Sequence, residues 1–311
     1  MQPQYTLNAP VTLEGMCAYG GSQVTARIHP TSANTGIVFR TPENGFVNAS
    51  LKNARYSRSA IALRSDGTEV IIIEHVCATL YAMNVDNAIV SVERTRGTPF
   101  ALTKIQVLPV SSGREQTLCD KIGKVGLREL DVERNYVTVD RPYRTERLFF
   151  EPNDSPDLVL EMHTEYKIPG PEKFTLVVGP NNYREQVSRA RCFAKHVKYV
   201  PHWLPDSIVY FIACVANPQF GLGFGYDRST VFVPTKDLEA WRQQEYYPEE
   251  IARHAAVDRL GELSLIGRRF VGVKVTSRGS GHKNTLKVLR AMDKEGVIVP
   301  AKRLLIRQAA E

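Results

Sequence analysis

The sequence predicts an α+β protein built from a duplicated unit, and three observations carry the prediction. Its 311 residues exceed what one small core holds, and at roughly 100–200 residues per domain they divide most simply into two. Short β-type runs punctuated by turn residues recur in both halves. In each half those runs lead to a helical pattern that begins near a histidine and is followed by a turn and a strand. Glu74-His75 with AIVSV downstream parallels Arg253-His254 with FVGVKV downstream.

In the first half, VTLEGM, QVTARIHP, TGIVFRT and GFVNASL alternate with turn residues at Gly20-Gly21, Pro30 and Asn44-Gly45, which predicts an antiparallel sheet. Asp66-Gly67 between IALRS and TEVIII is a hairpin signal. Apolar Val76, Ala78, Leu80 and Met83 predict a helix over 74–83, followed by a strand over 88–92 and a second helix over 114–124 that stops at Gly126. The polar stretch 128–135 is the best boundary and divides the chain into domains 1–130 and 131–311. Beyond it YVTVD, ERLFFEP, DLVLEMHTEYKI and KFTLVVG predict strands, and Asn182 is positioned to cap a helix over 183–190. A hydrophobic segment, 207–215, then leads through the glycines of 221–225 to a strand over 230–234. Pro248-Glu-Glu opens the strongest helix, which runs to about Ile266 and stops at Gly267. A strand over 270–276 and a helix over 284–292, with Asn284 as its cap, complete the pattern.

With 43% apolar and 23% charged residues, the composition excludes disordered, collagen-like and coiled-coil chains. Forty Lys and Arg against 33 Asp and Glu leave a net charge of +7, which suits an anionic partner. Nucleic acid is the weakest such partner, because the charges are scattered and no aromatic-basic platform recurs. The five cysteines are odd in number and contain no C-x-x-C pair, which argues for a reducing compartment. No basic-then-apolar leader opens the chain, and its longest apolar stretch falls well short of the ~20 residues of a spanning helix, so a cytoplasmic protein is expected.

Three places could carry chemistry. His254 and Asp258, spaced i, i+4, share one helix face and could bind one zinc ion with a third ligand from elsewhere, or form a simple helix-stabilising pair. Glu74-His75 closes the apolar run 70–73; if His75 binds a metal, Glu74 points about 100° away and suits a general base, whereas the plainer reading is a satisfied helix start. His282 lies between glycines in SRGSGHKNT, as a general acid, an oxyanion partner or an ordinary turn histidine.

Together, GSQVTARIHPTSANTGIVFR, IIIEHVCATLYAMNVDNAIVSVE, FTLVVGPNNYREQVSRARCF, YYPEEIARHAAVDRLGELSLIG and SGHKNTLKVLRAM resemble, in order and spacing, the zinc-dependent UDP-3-O-acyl-N-acetylglucosamine deacetylases of lipid A synthesis. The resemblance covers most of the chain and implies two similar β-α-α-β domains, with helices sandwiched between outer sheets and zinc at the junction. It implies His75, His254 and Asp258 as zinc ligands, Glu74 as general base and His282 as the cationic acid. Glu262 stands where the family orients that histidine with Asp, and Cys192 stands where it has Thr beside the reacting carbonyl. Phe193 matches the aromatic beside the sugar; Arg141 and Gly281 are further candidates for substrate binding. Ala255 replaces a basic residue of the family, and the aromatic-rich stretch 195–224 lies where the family builds its acyl passage. The implied substrate is a small-molecule or lipid-linked amino sugar, deacetylated at nitrogen. Alternatives are the same zinc chemistry on a different amide, or a non-catalytic ligand-binding paralogue.

Overall fold

A computed structural model describes residues 2–16, 23–42, 45–57, 60–93, 105–109, 115–166, 169–193, 231–232, 239, 242–243 and 245–301. The Gly20-Gly21 turn, the segment 207–215, the glycines of 221–225 and the aromatics of 195–224 fall outside the described residues.

The first half contains β1 (Pro3–Leu7), β2 (Val11–Met16), β3 (Gln23–Pro30), β4 (Ile37–Arg40), β5 (Phe46–Asn48), β6 (Ala54–Ser57), β7 (Ala60–Ser65), β8 (Thr68–Ile71), α1 (Glu74–Ala82), β9 (Ala88–Val92), β10 (Ile105–Val107), α2 (Glu115–Val125) and β11 (Leu127–Glu133). The hairpin β7-β8 turns at Asp66 and Gly67, whose φ values of 48° and 78° are the two positive angles of a type I′ turn. The polar stretch proposed as the boundary is largely β11, which pairs antiparallel with β1. None of its residues is buried and four of the seven are charged, so the stretch reads as polar although residues 130–133 alternate.

The second half contains β12 (Tyr136–Val139), β13 (Tyr143–Arg144), β14 (Leu148–Pro152), β15 (Leu158–Glu165), β16 (Pro171–Val177), α3 (Pro180–Gln186), β17 (Cys192–Phe193), β18 (Val231–Phe232), α4 (Glu250–Ser264), β19 (Arg269–Phe270), β20 (Val273–Arg278), α5 (His282–Lys294) and β21 (Ile298–Pro300).

The duplication is visible in the sheets. In the first half the order is β2-β3-β9-β4-β5, with β9 antiparallel to β3 and parallel to β4. In the second it is β13-β14-β20-β15-β16, with β20 antiparallel to β14 and parallel to β15. Each sheet thus inserts the strand that follows its histidine-bearing helix between two hairpins.

Between the sheets the helices stack in sequence: α2 lies on β2, α1 on α2, α4 on α1, and α4 also on β15 and β16. All nine residues of α1 are buried. One continuous apolar core runs from Leu7 to Ile298 and takes in residues of both halves. Close approach of α1 and α4 depends on Gly261, where an added Cβ would stand 2.1 Å from the Glu74 carbonyl oxygen.

Several helix starts differ from the sequence reading. Gly179 precedes α3, which opens on Pro180 as a first-turn proline, and Asn182 inside it donates to the Val177 carbonyl at 2.9 Å. Helix α4 begins after Glu249, held at φ 52°, so Pro248 lies just outside it. Helix α5 begins at His282 with Gly281 as its N-cap residue, and Asn284 sits within its first turn. The strand expected over 270–276 is two strands, broken between Phe270 and Val273. No described helix is long and apolar enough to cross a membrane.

Candidate active site

The apolar run of β8 delivers Glu74 and His75 to the interior through an unusual turn. Ile72 has φ 66°, a left-handed conformation that costs a β-branched residue about 1–3 kcal/mol and redirects the chain into α1. Glu74, 3% exposed, accepts the Ile61 N–H at 3.1 Å through Oε2. His75 follows at 2% exposure, with its Nε2 turned toward α4.

On α4 the i, i+4 spacing puts His254 and Asp258 on the face opposite His75. Asp258 Oδ1 stands 3.4 Å from Nε2 of His75 and 3.4 Å from Nε2 of His254. His254 donates Nδ1–H to the Ala190 carbonyl at 3.1 Å, so Nε2 is the ring nitrogen that faces Asp258. Asp258 Oδ1 is buried with no hydrogen-bond partner among the described residues. An orphaned carboxylate oxygen facing two imidazole nitrogens fits a cation, and bonds of 2.0–2.1 Å in a tetrahedron would separate such donors by about 3.3 Å. Cys192 Sγ completes the cluster, 3.2 Å from Nε2 of His254 and 3.7 Å from Nε2 of His75.

His282, in the first turn of α5, donates Nδ1–H to Glu262 Oε1 at 2.7 Å. The other oxygen of Glu262 is held by the buried guanidinium of Arg259, which also donates to the Ser280 carbonyl at 2.7 Å and to Ser277 Oγ at 3.2 Å. A chain of charge from Arg259 through Glu262 therefore fixes the imidazole.

Electrostatics follow from burial and these neighbours. Burial opposes the charge on His282, but Asp258, Glu262 and Glu74 outweigh it and raise the imidazole to about 9, so it is a cation at neutral pH. Burial raises the Glu74 carboxyl above the usual carboxylate range, with His282 and His75 pulling it back. Burial also resists ionisation of Asp258, yet His254 and His282 hold it well below that range. Although burial pushes the Cys192 thiol up, His254 and His75 bring it down to about 5.

Glu74, His75, Cys192, His254, Asp258 and His282 line one cavity of about 1040 Å³, with Lys283, Lys287 and Arg290 along one wall. Gly281 and Ala255 also line it. Arg141 is not brought to this cavity: it pairs with Asp140 and reaches the Glu295 carbonyl, at the end of α5 remote from His282. Phe193 follows Cys192 in β17, and its side chain lies outside the described residues. Sequence reasoning missed three participants. The Ala190 carbonyl carries no side-chain signal; Arg259 sits i, i+3 from Glu262 and that spacing could have found it. Glu115 at the start of α2 is fully buried, with Oε1 4.0 Å from Nδ1 of His75 and neither oxygen hydrogen-bonded among the described residues.

A profile of the UDP-3-O-acyl N-acetylglycosamine deacetylase family matches residues 4–294. The chain belongs to this family. It is a divergent member: relatives named UDP-3-O-acyl-N-acetylglucosamine deacetylase from Brucella ovis, Brucella canis and Brucella abortus are each 25% identical over 296 residues, spanning 93% of this chain and 94% of the relative. Membership in a deacetylase family makes this protein an amidohydrolase acting on a C–N bond.

Proposed function

We propose that this enzyme removes the acetyl group from the amide nitrogen of a UDP-linked, 3-O-acylated N-acetylglucosamine, with zinc held by His75, His254 and Asp258. The observation that carries the reading is the convergence, in one cavity, of that donor set with a buried carboxylate and a buried imidazolium. Bound zinc would supply an activated water and a Lewis acid for the amide carbonyl.

The chain's own groups divide the proton work. Glu74 is oriented by the Ile61 N–H and carries a carboxylate made more basic by burial, which suits it to take a proton from the attacking water. His282 enters the reaction as a cation, stabilises the developing oxyanion and gives its Nε2 proton to the departing amine. Glu262 holds the opposite ring nitrogen, so the proton available for donation is the one facing the cavity.

Lys283, Lys287 and Arg290 give part of the +7 excess an address, because a diphosphate carries the anionic charge that such a wall attracts. They share α5 with His282 and line the cavity that Ala255 also lines.

The test is acetate release from UDP-3-O-acyl-N-acetylglucosamine by zinc-loaded protein. Turnover is expected for the wild type, with a fall of about 10²–10⁴-fold in kcat for Glu74→Gln at unchanged zinc content. Fully loaded wild-type protein that releases no acetate overturns the reading.

A further inference from the structure

We propose that the sulfur of Cys192 is a fourth ligand of the metal, so that the resting protein holds its ion with two imidazoles, one carboxylate and one thiolate. The inference rests on the metal-dependent reading above and assigns to this chain a donor beyond the three in that reading.

Geometry supports it first. Zn–N bonds near 2.0–2.1 Å and a Zn–S bond near 2.3 Å set a tetrahedral N···S separation of about 3.6 Å. Cys192 Sγ lies 3.2 Å from one imidazole Nε2 and 3.7 Å from the other, and the three donor atoms all fall within 4.8 Å of one another. The hydroxyl that the resemblance leads one to expect here would be a weak ligand, whereas a thiolate is a strong one for zinc.

The backbone around the sulfur is also built to hold it there. Ala190 accepts from Nδ1 of His254 at 3.1 Å. Arg191, 4% exposed, binds Glu250 in the first turn of α4 through its own N–H at 2.9 Å, Nε at 2.7 Å and Nη2 at 2.9 Å. Two consecutive residues thus clamp β17 to α4, the helix that carries His254 and Asp258. Cys192, the next residue, has its position set by the element bearing two of the other three donors.

Two consequences follow. Sulfur ligates as thiolate, so with Asp258 the four donors bring two negative charges to the ion. Four protein ligands also close the site, in the manner of a structural rather than a catalytic zinc centre. Hydrolysis then requires the sulfur to yield its place, and Cys192 becomes a brake on this enzyme's activity.

Cobalt substitution tests the assignment by spectroscopy. Wild-type protein carrying one equivalent of Co²⁺ should show a near-ultraviolet thiolate-to-cobalt charge-transfer band beside its visible d–d bands. In Cys192→Ser and Cys192→Thr that band should disappear while the d–d bands persist. Chelator competition should show affinity weakened by more than the roughly 10–100-fold that loss of an outer-shell partner costs. Should neither variant fold, zinc K-edge absorption of the wild type carries the test, with one sulfur at about 2.3 Å expected. Alkylation mapping, in which metal shields the Cys192 peptide, then assigns that sulfur. One equivalent bound with only nitrogen and oxygen neighbours overturns the inference and leaves the hydrolase reading standing. Failure of the wild type to bind any metal removes both.

Discussion

Glu262 Oε1 accepts the Nδ1–H of His282 at 2.7 Å, while its second oxygen is gripped by Arg259 three residues earlier on α4. The carboxylate therefore both aims the imidazole and maintains its charge. Activity should fall on the alkaline side as His282 loses its proton, near the value of about 9 to which Asp258, Glu262 and Glu74 raise it against burial. Glu262→Gln removes one of the charges that favour the imidazolium, so the alkaline limb of the kcat/KM profile should move to lower pH. At neutral pH kcat should drop by part of the roughly 10²–10⁴-fold that a positioned acid contributes. An unmoved alkaline limb would show that Glu262 does not act through His282.

Glu115 should make the metal-free protein less stable as pH rises. Burial lifts its carboxyl to about 8, against a counteracting pull from His75. Between the ordinary carboxylate value and about 8, the folded chain keeps a proton that the unfolded chain has released. Stability is then fullest below that window and declines through it. Glu115→Gln should flatten the decline and raise Tm above pH 8, by about 1.5 °C for each kcal/mol recovered. The same change should weaken metal binding about 10–100-fold, because it removes a carboxyl group that lies 4.0 Å from Nδ1 of His75. Parallel Tm profiles for the two proteins would refute the stability half.

Gly261→Ala should damage stability and catalysis together. Its new Cβ would meet the Glu74 carbonyl oxygen at 2.1 Å, and a backbone atom cannot swing aside as a flexible side chain can. Separation of α1 from α4 should cost about 1–3 kcal/mol or more in denaturant titrations. It should also lower metal affinity, since His75 and Asp258 lie on opposite sides of that contact.

Lys287→Glu should raise KM for a UDP-linked substrate at little cost in kcat. Lys287 lines the cavity without belonging to the donor or proton-transfer groups, so its charge acts on binding in ground and transition states alike. The KM difference between the two proteins should shrink as salt is added, and steady-state kinetics at two ionic strengths would measure it.

Legibility in the sequence followed the range of the interactions involved. Asp66-Gly67 announced its turn because two positive φ angles demand such residues. His254 and Asp258 were visible through helical spacing, and His75 through an apolar run ending in charge. Strand β11 escaped notice because none of its residues is buried and charged residues dominate it, and the start of α5 because its N-cap residue is a glycine without a capping side chain. Ile72 was beyond reach, since a β-branched residue gives no hint of a left-handed conformation. Glu115 was hidden for a different reason: its partner lies forty residues away on another helix, and no local pattern encodes that distance.

The donor atoms come from both sides of the α1–α4 seam, His75 from one half of the chain and His254 and Asp258 from the other. An ion that binds only the assembled seam adds RT ln(1 + [M]/Kd) to its cohesion, about 2.7 kcal/mol at a hundredfold excess over Kd. With the proposed ion bound, metal supply would act on stability as well as turnover: metal-loaded protein is expected to resist heating and proteolysis better than metal-free protein.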